Sequence, residues 1–163
     1  MSTFLSNKRR IISFVSVFLL VVAMFFVMAI QVQAASTDQR AIITDSQGLR
    51  EKTETFYIKG SWWWFVQTNV KIDVFLACGQ GWTFPGAQRW FQDKARFDVK
   101  VYKEDGKTLW KSYSNLSHGD SFKIPGGAGN YKVVVTSRLD ATQKDYQQNG
   151  AWIYAFANYR LVY

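Results

Sequence analysis

The chain has 163 residues, with 20 Lys and Arg against 12 Asp and Glu, one His and one Cys. A single cysteine excludes a scaffold stapled by its own disulfides, and one His with one Cys excludes a zinc site built on those ligands. Beyond residue 10 the positive charges are scattered along the chain without a basic run, so no nucleic-acid partner is expected.

In chain order, Lys8, Arg9 and Arg10 precede an unbroken apolar run from Ile11 to Ile30, and Val32-Gln33-Ala34 follows. A positive start, an apolar stretch and small residues at an A-x-A-like site predict a secretory signal peptide over 1–34, cut after Ala34. The apolar run also has the length of a bilayer span. An uncleaved anchor is therefore the alternative, and the positive flank would still place the rest outside the cell. The expected location is extracellular, with association to the cell wall. Removing the signal takes away three of the 20 basic residues and no acid, leaving 17 against 12 and a net charge of +5. That balance favours anionic surfaces such as bacterial envelopes. An exported chain without disulfides points to a bacterial exporter, a Gram-positive cell above all.

Residues 35–52 are polar and read as a leader or an edge strand. From residue 53 to 163 the apolar period is two, as in strands. "TETFYIKG" alternates imperfectly. "GSWWWFVQ", residues 60–67, read as a strand, puts Trp62 and Trp64 on one face and Trp63 and Phe65 on the other. In "NVKIDVFLA" Val70, Ile72, Val74 and Leu76 share a face. "CGQGWTFPGAQRWFQDK", residues 78–94, reads as a long loop broken by Gly79, Gly81, Pro85 and Gly86. "ARFDVKVYKEDGKTLWKSYSN" is a hairpin closed by an Asp-Gly turn, since those residues tolerate positive φ. "DSFKIPGGAGNYKVVVTS" reads as a second hairpin. "AWIYAFANYRLVY" closes the chain. No stretch after the signal shows a convincing 3.6-residue apolar period, and 141–150 is the best place for a helical turn.

These signals predict an all-β, antiparallel β-sandwich of about six to eight strands in a single domain over 53–163. "KIPGGAGNYKVVV" resembles the late hairpin of secreted immunoglobulin-like or jelly-roll modules. The resemblance covers about a tenth of the chain and implies a fold but no activity.

No catalytic site is expected. His118 would have to serve any Ser-His or Cys-His arrangement, and it lies in a polar turn, "NLSHGDS". Cys78 follows an apolar strand, where a small inert thiol is the usual outcome. No metal or cofactor is expected either, because the acids are spread singly and "GGAG" lacks the Lys and helix of a phosphate loop; a calcium ion held by loop oxygens is the one metal left open, since backbone carbonyls can supply such a site. A small secreted hydrolase stays open only because 12 acids offer many carboxylate pairs.

The aromatics carry the functional reading. All seven Trp, all eight Tyr and eight of the 13 Phe lie after residue 34. Many suit the core of a sandwich that has no disulfides, Trp110, Trp152, Tyr131 and Phe97 among them. Two clusters exceed that need, and Trp62, Trp64, Trp82, Phe84, Arg89 and Trp90 are the candidate ligand-binding residues. They suit a secreted non-enzymatic module that binds an extracellular polymer or surface, with cell-wall glycan or another polysaccharide as ligand. Rings stack on sugar faces while Arg and Gln hydrogen-bond the rim. The alternative is a membrane-active antibacterial or toxin-like protein, whose rings enter a lipid bilayer while Arg89 and Lys94 meet anionic headgroups.

Overall fold

The computed structural model describes residues 36–37, 40–42, 44–45, 48–49, 51–76, 86–142, 144–145 and 157–163. The expected signal peptide lies outside them. So do Trp82, Phe84 and Cys78. In chain order the elements are β1 (Arg40–Ile42), β2 (Thr44–Asp45), β3 (Gly48–Leu49), β4 (Lys52–Lys59), β5 (Thr68–Leu76), α1 (Ala87–Lys94), β6 (Ala95–Tyr102), β7 (Leu109–Leu116), β8 (Ser121–Ile124), β9 (Asn130–Leu139) and β10 (Ala157–Val162).

The fold is an antiparallel β-sandwich. One sheet has the order β1-β10-β5-β8 and the other β4-β9-β6-β7, with β2 and β3 forming a separate two-stranded ribbon. The period of two produces the core. Phe56 and Ile58 of β4, Phe97, Val99 and Val101 of β6, and Tyr131, Val133 and Val135 of β9 all point inward. Val70, Ile72 and Val74 of β5, Phe122 and Ile124 of β8, and Tyr159 and Leu161 of β10 meet them from the other sheet. Ring contacts cross the interface: Phe97 to Tyr159 at 4.9 Å and Phe56 to Tyr159 at 6.1 Å. In β4 the alternate residues face out, Tyr57 and Lys59 among them, so the strand buries one side only.

Within residues 35–52, β1 pairs with β10 as an edge strand. Ser36 bridges Val162, and the Thr37 N–H donates to the Leu161 carbonyl at 2.9 Å. Glu54 links the two sheets near this edge. It accepts from the Tyr159 hydroxyl at 3.1 Å and faces Arg40 at 3.5 Å. Burial first, then the Glu54 charge, push the Tyr159 phenol far above its ordinary range.

The β6–β7 hairpin forms as the Asp-Gly signal requires. The Gly106 N–H donates to the Lys103 carbonyl at 2.9 Å, with Gly106 at φ 64. The second expected hairpin does not form. β8 pairs with β5 and β9 with β4 and β6, so "PGGAG" carries the chain from one sheet to the other. A Pro-Gly turn signals a reversal, but the choice of sheet rests on packing that is remote in sequence.

Residues 60–67 are a loop between sheets, not a strand. Residues 87–94, read as loop, are helix α1. Gly86, taken as a breaker, is the helix N-cap at φ 80, and its carbonyl accepts from the Trp90 N–H at 3.0 Å. Ala87, Trp90 and Phe91 give the helical spacing of three and four, too short a stretch to stand out among strands.

Candidate surface-binding site

Gly60 follows the last residue of β4, and there the backbone must pass close to its neighbours. A Cβ on Gly60 would lie 2.2 Å from the Gly127 carbonyl oxygen and 2.5 Å from the Tyr131 ring. Glycine alone permits that approach. The loop is then tied to turn 125–129. The Gly60 N–H donates to the Gly129 carbonyl at 2.9 Å, and the Gly127 N–H to the Ser61 carbonyl at 3.1 Å. Gly126 lies under the loop tip: a Cβ there would sit 2.3 Å from the Trp64 carbonyl oxygen and 2.8 Å from that of Trp63. An internal turn, Val66 N–H to the Trp63 carbonyl at 3.0 Å, closes the tip.

The backbone is therefore held while the side chains are not covered. Trp62 is 80% exposed, Trp63 59%, Trp64 80% and Phe65 64%. Val66 beside them is also exposed. The rings touch one another, Trp63 to Phe65 at 5.8 Å and Trp64 to Phe65 at 5.5 Å, with planes inclined by 39° and 88°. Burying one such side chain stabilises by about 1.5–3 kcal/mol, so four left in water are a large unused contribution. Together with Val66 these side chains leave an exposed apolar patch at this end of the sandwich. Exposed lysines surround this end of the sandwich. Lys59 closes β4, Lys123 pairs with Asn69 at the start of β5, and Lys103 and Lys107 flank the β6–β7 turn.

The same end holds an open cleft of about 450 Å³, lined by Lys103, Glu104, Asp105, Trp110, Pro125 and Tyr131. Its walls are positioned by the same turn. The Tyr131 hydroxyl lies 2.8 Å from the Gly126 carbonyl and 3.2 Å from Glu104 Oε1. Burial, and then the Glu104 carboxylate, raise the Tyr131 phenol above its usual range. Asp105 accepts from the N–H groups of Lys107 at 2.9 Å and Thr108 at 2.8 Å, and from the Thr108 hydroxyl. These bonds hold its carboxyl down to about 2.

Of the residues expected to bind, Trp62 and Trp64 lie together on this loop. Arg89 and Trp90 lie on α1, before the start of β6, at the opposite end of the sandwich. The two ends are roughly 25 Å apart, taking ~3.3 Å per residue along β6. Arg89 is exposed. Trp90 is half-buried, packs against the core and meets Phe91 at 5.0 Å. Trp82 and Phe84 fall outside the described residues. The cleft was missed because Glu104 and Asp105 read as turn residues and Trp110 and Tyr131 as core. Tyr131 is indeed buried and Trp110 partly so, and only the fold shows that they meet the turn. His118 serves the backbone: its Nδ1 accepts from the Val74 N–H at 2.9 Å, and the Gly119 N–H donates to the Ile72 carbonyl at 2.8 Å. Among the described residues no three of His, Cys, Asp and Glu converge on a point that could hold a metal ion.

The chain matches no protein-family model, no curated protein and no solved structure.

Proposed function

We propose that this chain is a secreted, non-enzymatic binding module that contacts an extracellular surface through loop 60–67, and that the surface is the headgroup layer of a lipid bilayer. The observation that carries this reading is the run of four exposed aromatics on a backbone pinned from beneath. Aromatic side chains with an apolar body prefer the interface between water and hydrocarbon. Lys59, Lys103, Lys107 and Lys123 would face headgroup phosphates as the rings enter. Cell-wall glycan is the competing ligand. Stacking on sugar needs flat rings with hydrogen-bonding neighbours. Here the ring planes are inclined to one another, and polar side chains occur only at the loop's ends, Ser61 and Gln67.

Co-sedimentation of the purified protein with phosphatidylglycerol–phosphatidylcholine vesicles and, in parallel, with insoluble wall polymer tests this, with Trp emission recorded. Pelleting with vesicles and a blue shift are expected. Trp62→Ala and Trp64→Ala should each weaken vesicle binding about tenfold, at roughly 1.5 kcal/mol per ring. Pelleting with wall polymer alone, without a blue shift, would transfer the loop to the glycan reading.

A further inference from the structure

We propose that the cleft between the β6–β7 turn and turn 125–129 binds a small organic cation, an amine or quaternary ammonium group carried by a lipid headgroup or by an envelope polymer. Its volume, about 450 Å³, is that of a small-molecule site. Trp110, Tyr131 and Pro125 supply apolar and aromatic wall. Glu104 and Asp105 against Lys103 leave the lining one negative charge in excess. Aromatic faces with carboxylates nearby select cations that carry apolar substituents, because the ring quadrupole and the charges attract the same group. An anion would meet a net negative lining.

The carboxylates are placed before any ligand arrives. Glu104 lies over Gly129, whose added Cβ would come within 2.2 Å of the Glu104 carboxyl carbon. Asp105 is held by three hydrogen bonds from Lys107 and Thr108 and stays ionised at any physiological pH. Two of the nearby lysines are engaged on rings: Lys111 lies over the Tyr113 ring at 4.9 Å and Lys132 over Tyr102 at 5.4 Å. The cleft also shares Tyr131 with the aromatic loop, since Gly60 packs on that ring and Gly126 accepts its hydroxyl. The inference rests on the surface-binding reading for the origin of the cation, though not for the cleft's own affinity. A bilayer that takes up the loop would bring its headgroups to the cleft. Lys103 in the lining suits the phosphate of a phosphocholine.

The test is a titration of the purified protein with choline and with 3,3-dimethyl-1-butanol, its neutral isostere, followed by Trp fluorescence and calorimetry. Choline is expected to bind about tenfold more tightly. Glu104→Gln should weaken choline by about the same factor and leave the alcohol unchanged. Trp110→Leu keeps apolar volume without the π face and should abolish the preference. A melting curve confirms that each variant is folded. Equal binding of the two probes, or no response to either, would overturn the proposal. The double variant Trp62→Ala/Trp64→Ala separates the two ideas, because it should lose vesicle pelleting and keep the choline titration. Free choline that displaces the protein from phosphatidylcholine vesicles would identify a lipid source. A positive titration without displacement would assign the cation to an envelope polymer and keep the site.

Discussion

Two aromatic pairs of nearly equal internal geometry stand at the two ends of the sandwich. Trp64 and Phe65 meet edge to face at 5.5 Å and 88°, and Trp90 and Phe91 at 5.0 Å and 85°. Phe91 is wholly buried, whereas Phe65 is largely in water. The rings do not explain this difference. It comes from what lies beneath each backbone. Helix α1 rests on β5 and the core, and Gln92 Nε2 donates to the Val74 carbonyl at 2.9 Å to fix it there. Loop 60–67 rests on Gly126, Gly127 and Gly129, which bring the backbones together and offer no side chain for a ring to pack on. Equal aromatic content thus yields a core anchor at one end and a display surface at the other.

The largest expected effect tests that contrast directly. Phe91→Ala should cost about 3–5 kcal/mol, the transfer of a ring plus the cavity it leaves. Trp64→Ala should stay within about 0.5 kcal/mol of the parent, as surface substitutions do. Urea unfolding midpoints measure both. Similar losses would mean that Trp64 is covered in solution, and the comparison would collapse.

Gly126→Ala should come next, at about 1–3 kcal/mol, because the new methyl cannot coexist with the Trp64 carbonyl oxygen at 2.3 Å. The loop must lift, so vesicle binding should fall together with stability. If stability drops while pelleting is unchanged, the rings work without their support, and rigidity is not what the glycines provide.

The sequence made the sandwich legible because period-two alternation is dense in β5, β6 and β9, where Val70, Ile72, Val99, Val101, Val133 and Val135 are all buried. It could not tell which sheet a strand joins. Ile124 and Tyr131 lie only seven residues apart, yet they belong to opposite sheets. Three tryptophans in a row were visible as too many rings for one inner face, and that surplus is the exposed patch. Their support was not visible: "PGGAG" reads as a flexible turn until Gly126 is seen under Trp64. Helix α1 was hidden for a related reason, since eight residues with a glycine at the start resemble a loop when the apolar spacing repeats only once.

The smallest effect distinguishes the two ends by pH and salt. At the cleft end, hydrogen bonds from Thr108 and Lys107 lower Asp105 from 3.8 to about 2. At the helix end, Asp145 is also lowered, by hydrogen bonds from Thr142 and by the charge of Lys94, which lies 3.4 Å away. A carboxyl whose folded pKa lies below its unfolded value stabilises the fold above the unfolded pKa and loses that contribution as pH falls through the folded one. The stability difference between the parent and Asp105→Asn should therefore be constant above about pH 5 and shrink between about pH 4 and pH 2. The corresponding difference for Asp145→Asn should fade on acidification in the same direction. It should also weaken with added salt, because part of it is a charge–charge attraction at the surface. Thermal melts across pH, at low and high salt, read both. Asp105, held mainly by hydrogen bonds, should respond to acid and barely to salt; equal salt sensitivity at the two ends would show that the cleft carboxylate is held by the surrounding lysines instead of by its own turn.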